Sequence, residues 1–133
     1  MTTISVGDVL FGHVPEAGKE KIFVVLAIQE LGGDLVTCLL ISSRLNSFQS
    51  SKPEIAKLKM PLMGKPYLDH DSYLDCEGPI MRSRRYFRTH HFSLLGKMSE
   101  EDLRAARRII YDSGIFSEFE LEDMCIYPED FED

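Results

Sequence analysis

The sequence has 133 residues and carries 15 Lys and Arg against 22 Asp and Glu, a formal net charge of −7. A chain of this length can build one core without disulfides or a structural metal, and 44% apolar with 28% charged residues is typical of a globular protein. No apolar run approaches the roughly 18–20 residues of a membrane-spanning helix, and the first residues lack the basic and apolar regions of a signal peptide. We therefore expect a cytoplasmic protein that does not contact a membrane.

The three cysteines are consistent with a cytoplasmic location. Cys38, Cys76 and Cys125 form an odd set at long spacings, which fits neither a disulfide framework nor a Cys-x-x-Cys metal clip. Reduced thiols are the simplest interpretation, because disulfides are rare in the cytoplasm, and oxidation of one pair is the alternative.

The net charge is concentrated at the C-terminal end. Residues 114–133 contain eight acids and no Lys or Arg, whereas residues 1–113 contain 15 bases and 14 acids. An acidic protein is an unusual nucleic-acid binder, but that argument weakens when the body is neutral. We therefore divide the chain into a body, residues 1–113, and an acidic tail, residues 114–133.

The first half of the chain predicts strands. Residues 4–14 alternate in hydropathy and end at a turn cluster, Pro15 to Gly18. Residues 21–28 form a β-branched apolar run suited to a strand buried on both faces. The Gly32-Gly33-Asp34 segment predicts a hairpin turn, and residues 35–43 supply the returning strand.

The middle of the chain predicts shorter strands between loops. Residues 44–52 read as a loop, residues 54–60 as a weaker strand and residues 61–71 as another loop. Two further strands are predicted, one over residues 72–76 and one over residues 80–87, on either side of Gly78-Pro79.

One long helix is predicted near the C-terminus. Ser99 is a good N-cap, acids fill positions 100–102, and Gly114 suits the position after the last turn. Its apolar positions recur at helical spacing, at Leu103, Ala106, Ile109 and Ile110. Short strands followed by one helix predict a mainly β fold, a bent antiparallel sheet or small β-barrel with a C-terminal α-helix.

The arginine-rich segment, residues 81–92, is the most informative part of the sequence. It holds four arginines, two histidines and three aromatic residues without an acid. Arginine matches phosphate oxygens bidentately, and aromatic rings stack on unpaired bases. The alternative is a strand that alternates solvated arginines with core aromatics. His90 and His91 are neighbours that point to opposite faces of a strand, so we expect no metal site and no cofactor.

A second group surrounds Cys76. Asp75 and Glu77 are two residues apart, so on a strand their carboxylates share one face, and Cys76 faces the core. Two carboxylates this close raise the pKa of one of them, which suits general acid–base chemistry. The alternative is a solvated pair. Ser42 at the end of an apolar strand is a candidate phosphate contact or a turn residue, and His13 is similarly ambiguous.

Five segments occur in an order and spacing that match one family. They are residues 6–11 (VGDVLF), 21–26 (KIFVVL), 39–43 (LLISS), 72–79 (SYLDCEGP) and 94–103 (LLGKMSEEDL). Together they resemble the MazF/PemK/Kid family, the small endoribonuclease toxins of type II toxin–antitoxin pairs. The last segment is similar to that family's Leu-Gly-x-Leu-Ser-x-Glu entry into its C-terminal helix.

The resemblance implies an SH3-like barrel of the MazF/CcdB type, a homodimer, an antitoxin partner, and metal-independent cleavage of single-stranded RNA. It places the family's strand-two arginine at Lys21 and its active-site threonine at Ser42. The arginine and aspartate that flank the cysteine in Kid-like members fall on Asp75 and Glu77. Glu77 or Asp75 would then act as the base, Lys21 as phosphate clamp or acid, and Ser42 as a phosphate contact. The expected RNA contacts are Arg82, Arg84, Arg85 and Arg88.

Two hypotheses follow for the function. The first is a MazF/PemK-like protein that binds single-stranded RNA and cleaves it without a metal. The second is a catalytically inactive relative that serves as a protein-interaction or regulatory module, since lysine lacks the bidentate fork of arginine and Asp75 reverses a charge. The acidic tail likewise has two interpretations: it packs over the body as an extra helix or strand, or it folds over the arginine-rich segment and masks it.

Overall fold

A computed structural model describes residues 3–30, 34–42 and 57–131. The strands are β1 (Asp8–Val14), β2 (Lys19–Ile28), β3 (Leu35–Ser42), β4 (Lys59–Leu62), β5 (Ser72–Asp75), β6 (Ile80–Ser83) and β7 (Ser93–Lys97). The helices are α1 (Arg84–Thr89), α2 (Glu100–Ser113) and α3 (Glu118–Asp123), with 3₁₀ turns at Pro15–Ala17 and Pro128–Asp130. The mainly β class with a helix near the C-terminus is therefore confirmed.

The strands form one antiparallel sheet that curls into a half-barrel. The order across it is β4-β5-β3-β2-β1-β7, and β6 pairs with β3 outside this path. The first half of β3 pairs with β6 and its last two residues pair with β5. Since β2 occupies the other edge of β3, β5 and β6 lie end to end along one edge, joined by residues 76–79.

The inner face of the sheet carries the larger core. Side chains of alternate strand residues, such as Val24, Leu39 and Leu74, are fully buried there against α2 and the tail. The outer face carries a smaller core in which Phe23 and Cys38 pack beneath Phe87 of α1. Alternation along each strand separates the two faces, and β2 is buried on both, as predicted.

Helix α2 forms as its sequence predicts. The Ser99 side chain accepts a hydrogen bond from the Asp102 backbone amide at 3.1 Å, and Gly114 ends the helix with a φ of 71°, a conformation that favours glycine. Leu103 and Ile110 are almost fully buried on the inner face.

The acidic tail packs against α2 and completes the inner core. Met124 and Ile126 are fully buried in the same cluster as Val24. Arg104 donates to the Asp130 carbonyl at 2.9 Å and Arg108 to the Phe131 carbonyl at 3.3 Å. Of the two interpretations, packing as an extra helix over the body is the one observed. The described tail residues pack in the inner core, whereas the arginine-rich helix α1 packs on the outer face, so masking of the arginine-rich segment is not the arrangement observed for residues 114–131. Residues before and after Ser113 belong to the same hydrophobic core. The division into body and tail therefore describes the distribution of charge and does not mark a boundary in the packing.

Several element predictions need correction. The strand predicted over residues 80–87 ends at Ser83, because the Ser83 side chain caps α1 by accepting from the Tyr86 amide at 3.3 Å. The helix then buries Phe87 against the sheet. Strand β4 extends beyond its predicted end to Leu62, residues 57 and 58 form a turn, and β7 was not predicted.

Other predictions fall outside the described residues. These are the first two residues of the hairpin turn at 32–34, the loop over 44–52 and the start of the strand predicted at 54. Among the helices of the described residues, none has the length and apolar character needed to cross a membrane.

Candidate functional site

Lys21 and Ser42 meet on the outer face. The Lys21 Nζ donates to the Ser42 Oγ at 3.3 Å. The antiparallel pairing of Ile22 with Ile41 places the next residue of each strand, Lys21 and Ser42, opposite each other as cross-strand neighbours. Ser42 also pairs with Tyr73 of β5. The three side chains form a half-buried polar row across β2, β3 and β5, at the margin of the outer core. Two of the four residues predicted as catalytic are thus in direct contact.

Asp75 and Glu77 lie on either side of a lysine that the sequence did not single out. The Lys59 Nζ is 2.9 Å from Asp75 Oδ1 and 3.7 Å from Glu77 Oε2. The Lys59 side chain is 6% exposed, so its ammonium depends on these carboxylates for compensation. The Glu77 amide also donates to Asp75 Oδ1 at 2.9 Å. The two carboxylates therefore share one cation.

Both clusters lie on the same face. Lys59 pairs with Asp75 in the β4–β5 register, and Pro61 pairs with Tyr73. Asp75 is two residues beyond Tyr73 on β5, which places it about 7 Å along the sheet from the polar row. The four predicted residues therefore share one face, in two pairs, Lys21 with Ser42 and Asp75 with Glu77. No hydrogen bond or ion pair joins the two pairs among the described residues.

This arrangement has defined chemical abilities. An ammonium group beside a hydroxyl can hold a phosphate oxygen, because the first supplies charge and the second a directional donor. The carboxylates can accept protons, although both are engaged by Lys59. Two lysines and two carboxylates sum to zero charge, so the face does not repel an anion.

The arginines of the arginine-rich segment divide into two groups. Arg82 on β6 pairs with Glu16, and its guanidinium lies 5.4 Å from the Tyr86 ring. Although partial burial acts to raise it, the hydrogen bond from Arg82 holds the pKa of Glu16 below its usual value. Arg84 on α1 lies 3.3 Å from an oxygen of Asp34. Arg82 and Arg84 are thus already compensated.

Arg85 and Arg88 differ from these. Both are exposed on α1 and form no ion pair within the described part of the chain. They are the arginines of this segment with charge available to a ligand.

The histidines and cysteines have mainly structural environments. His90 stacks on Tyr86 with ring centroids 3.9 Å apart, and His13 is exposed on β1. In the described ranges, no three His, Cys, Asp or Glu side chains cluster as metal ligands would. Cys76 faces the inner core, as predicted, and burial raises the pKa of its thiol to about 12.

Sequence reasoning missed Lys59 because its partners are fixed by the β4–β5 register. Its ion pairs join residues 16 and 18 positions apart, and no local motif signals them. The alternation of Lys59, Met60, Pro61 and Leu62 is the one available signal, since it predicts that Lys59 and Pro61 share a face.

No protein-family model matches the chain, and no curated protein has a significantly similar sequence.

Proposed function

We propose that the outer face binds single-stranded RNA, with a backbone phosphate held at the Lys21–Ser42 pair. The observation that carries this proposal is the 3.3 Å contact between Lys21 Nζ and Ser42 Oγ. Two donors of different kinds meet at one half-buried point, where water competes less than at an open surface. Tyr73, next in the row, offers a ring and a hydroxyl to the adjacent nucleotide.

The carboxylate cluster is the proposed origin of cleavage chemistry. Asp75 or Glu77 takes the proton of a ribose 2′-hydroxyl, and the 2′-oxygen attacks the neighbouring phosphorus. The new P–O2′ bond forms as the P–O5′ bond breaks, and Lys21 protonates the departing 5′-oxygen. The products are a 2′,3′-cyclic phosphate and a 5′-hydroxyl, and the reaction needs no metal.

A specific observation favours a second function. Lys59 forms ion pairs with both carboxylates, so their oxygens are already engaged within the protein and are not free to contact a ribose hydroxyl. The same face would then bind RNA or a protein without cleaving it, as a regulatory module.

Two assays on the full chain separate these proposals. Fluorescence anisotropy with a labelled single-stranded RNA in EDTA measures binding, and gel analysis of a long RNA in EDTA measures cleavage. We expect Lys21→Gln to weaken binding and to reduce the salt slope by about 0.7, the contribution of one phosphate contact on a single strand. Lys21→Arg keeps or strengthens binding, because arginine contacts phosphate bidentately.

The matched control is Lys65→Gln. Lys65 forms an ion pair with Asp102 at the start of α2, on the side of the inner core, and its loss removes the same charge. Equal effects of Lys21→Gln and Lys65→Gln on affinity contradict the proposed site. Binding without cleavage at high protein concentration contradicts the endoribonuclease and leaves the non-catalytic module.

A homodimer and an antitoxin partner are further proposals from the family resemblance. Strand β7 lies at the end of the strand order, and Leu94 and Leu95 on it are 59% and 40% exposed. Such an edge suits pairing with a second chain. Sedimentation velocity over a range of protein concentrations tests the dimer, and a single monomeric species at every concentration contradicts it.

A further inference from the structure

A cavity lies away from the Lys21–Ser42 pair, between β1, the end of α1 and β7. Its volume is about 310 Å³, at the lower end of the roughly 300–1,000 Å³ range of small-molecule sites. Leu10, Phe87 and Phe92 give it an apolar wall, while Arg88 and His91 contribute polar groups. None of these residues contributes to the proposed polar row.

The apolar wall suits a flat ring. Phe87 and Phe92 lie with ring centroids 5.5 Å apart, and Phe92 is fixed by an edge-on contact with Phe23 at 5.3 Å. Gly12 leaves the space that the Phe92 ring fills, since a Cβ at Gly12 would lie 2.3 Å from the ring. The aromatic side of the cavity is therefore held in place before any ligand arrives.

The polar side suits an anion. Arg88 is exposed and has no ion-pair partner among the described residues. The carboxylate of the lining, Asp8, is compensated by Lys97 at 2.9 Å and by the Ser5 amide at 2.8 Å. A ligand anion that enters the cavity therefore meets the available guanidinium of Arg88, and the compensated Asp8 carboxylate does not repel it strongly. His91 is within the same lining and offers a further ring nitrogen.

We propose that this cavity binds one nucleotide unit, with its base against the phenylalanines and its phosphate at Arg88. A nucleoside monophosphate matches the three features of this cavity together: its volume, its aromatic wall and the arginine that has no ion-pair partner among the described residues. The nucleotide unit arrives either as a free mononucleotide or as one residue of a bound single-stranded RNA. The inference does not depend on the proposed polar row, since a free mononucleotide is sufficient to test it.

An NMR titration of the full chain, labelled with ¹⁵N, tests the site. The ligands are adenosine 5′-monophosphate, adenosine, inorganic phosphate and a short single-stranded oligoribonucleotide. We expect the monophosphate to shift the amide resonances of residues 88–94 saturably and more tightly than adenosine or phosphate. Saturable shifts of these resonances by the monophosphate identify a free nucleotide as a source, and shifts by the oligonucleotide alone identify RNA.

Two matched pairs of variants locate the ligand. Arg88→Gln lowers the affinity for adenosine 5′-monophosphate about tenfold, the loss expected for one charge-assisted contact. Arg85→Gln leaves that affinity unchanged, because Arg85 is an exposed arginine of the same helix that lies outside the lining. Leu94→Asp places a carboxylate at the rim and abolishes binding, whereas Leu95→Asp, outside the lining, does not. Lys21→Gln leaves monophosphate affinity unchanged, which separates this site from the polar row.

Three results overturn the proposal. They are the absence of saturable shifts with both the monophosphate and the oligonucleotide, equal affinity for inorganic phosphate and the monophosphate, and equal effects of Arg88→Gln and Arg85→Gln.

Discussion

The two faces of the sheet are formed by the same strands but are covered by other elements to different extents. The inner face is closed by α2 and the tail, and its central residues, such as Val24 and Leu39, are fully buried. The outer face is covered only in part by α1 and Phe92, and beyond them the strands carry Lys21, Ser42 and the Lys59 cluster. A strand's alternation allows one face to stabilise the fold while the other carries charged groups.

The arginines show the same contrast. On the inner side, Arg104 and Arg108 hold the tail through its backbone carbonyls, and each lies within 5.5 Å of the Phe131 ring. On α1, Arg85 and Arg88 have no ion-pair partner in the described ranges. Two arginine-rich helices that look alike in sequence thus have different tasks, one holding the tail and the other presenting charge.

The largest expected effect is on the inner face. Ile126→Ala should reduce the free energy of unfolding by about 2–4 kcal/mol, because it opens a cavity in a fully buried position. Urea denaturation measures the loss. Phe119→Ala is the control, since Phe119 is 80% exposed in the same tail and should change stability by less than about 0.5 kcal/mol. If Ile126→Ala cost as little stability as Phe119→Ala, the tail would not contribute to the core.

The next effect concerns the charged cluster of the outer face. Asp75→Asn should cost about 2 kcal/mol, because it leaves the almost buried Lys59 ammonium with only the more distant carboxylate. Glu77→Gln should cost about 0.5 kcal/mol, since that side chain is 42% exposed. Thermal and urea unfolding of both variants check this order. A larger loss for Glu77→Gln would contradict the assignment of Asp75 as the principal partner.

Gly12 tests how tightly the covered part of the outer face is packed. Gly12→Ala should cost about 1–3 kcal/mol, because its Cβ meets the Phe92 ring at 2.3 Å and the ring must move. Gly78→Ala is the matched control, since its nearest neighbour is an Asp75 oxygen at 3.9 Å. Urea denaturation should separate the two, and a neutral Gly12→Ala would show that Phe92 does not cover the sheet.

The reactivity of the three thiols also distinguishes the buried cores from the surface, with the smallest expected effect on stability at neutral pH. Burial raises the pKa of Cys38, on the outer core, and of Cys76, on the inner core, to about 12. Both thiols should resist a thiol reagent at pH 8, while the half-buried Cys125 reacts. Reagent counting in native and denaturing buffer should give one and three reactive thiols. Rapid reaction of Cys38 alone would show that the outer core is open to solvent.

The same pKa values set a pH dependence. The unfolded thiols lose their protons near the ordinary pKa of 9.0, before the folded ones do near 12. Their contribution to stability is therefore complete below pH 9 and is lost progressively as the pH rises from 9 towards 12. Urea denaturation of Cys38→Ala beside the parent chain measures this slope.

The sequence predicted most of what depends on local pattern. The apolar run of β2 and the capped, periodic helix α2 were recognised because their signals lie within ten to fifteen residues. Helix α1 was not, since six residues are too few to separate a helical period from a strand's alternation. Strand β7 was missed for a related reason, because its pairing with β1 supplies the hydrogen bonds that define it.

The candidate site was predicted in part. Lys21 and Ser42 lie on two strands that the sequence marks clearly, so their closeness on adjacent strands could be expected from local pattern. The compensation of Asp75 and Glu77 by Lys59 depends on a register between two four-residue strands, which local propensity does not determine. The placement of the tail was open because its acids and its apolar residues favoured different partners, and burial of Met124 and Ile126 decided it.

The position of β1 has a kinetic consequence. Its pairing with β2 joins residues close in sequence, whereas its pairing with β7 joins Asp8 to Lys97. Contacts between residues far apart in sequence require the closure of a long loop, which costs more entropy. Proteins rich in such contacts therefore fold more slowly than proteins rich in local contacts. We expect β1, β2 and β3 to form the folding nucleus and β7 to dock last. The edge beside the proposed nucleotide cavity is then the last part of the sheet to order.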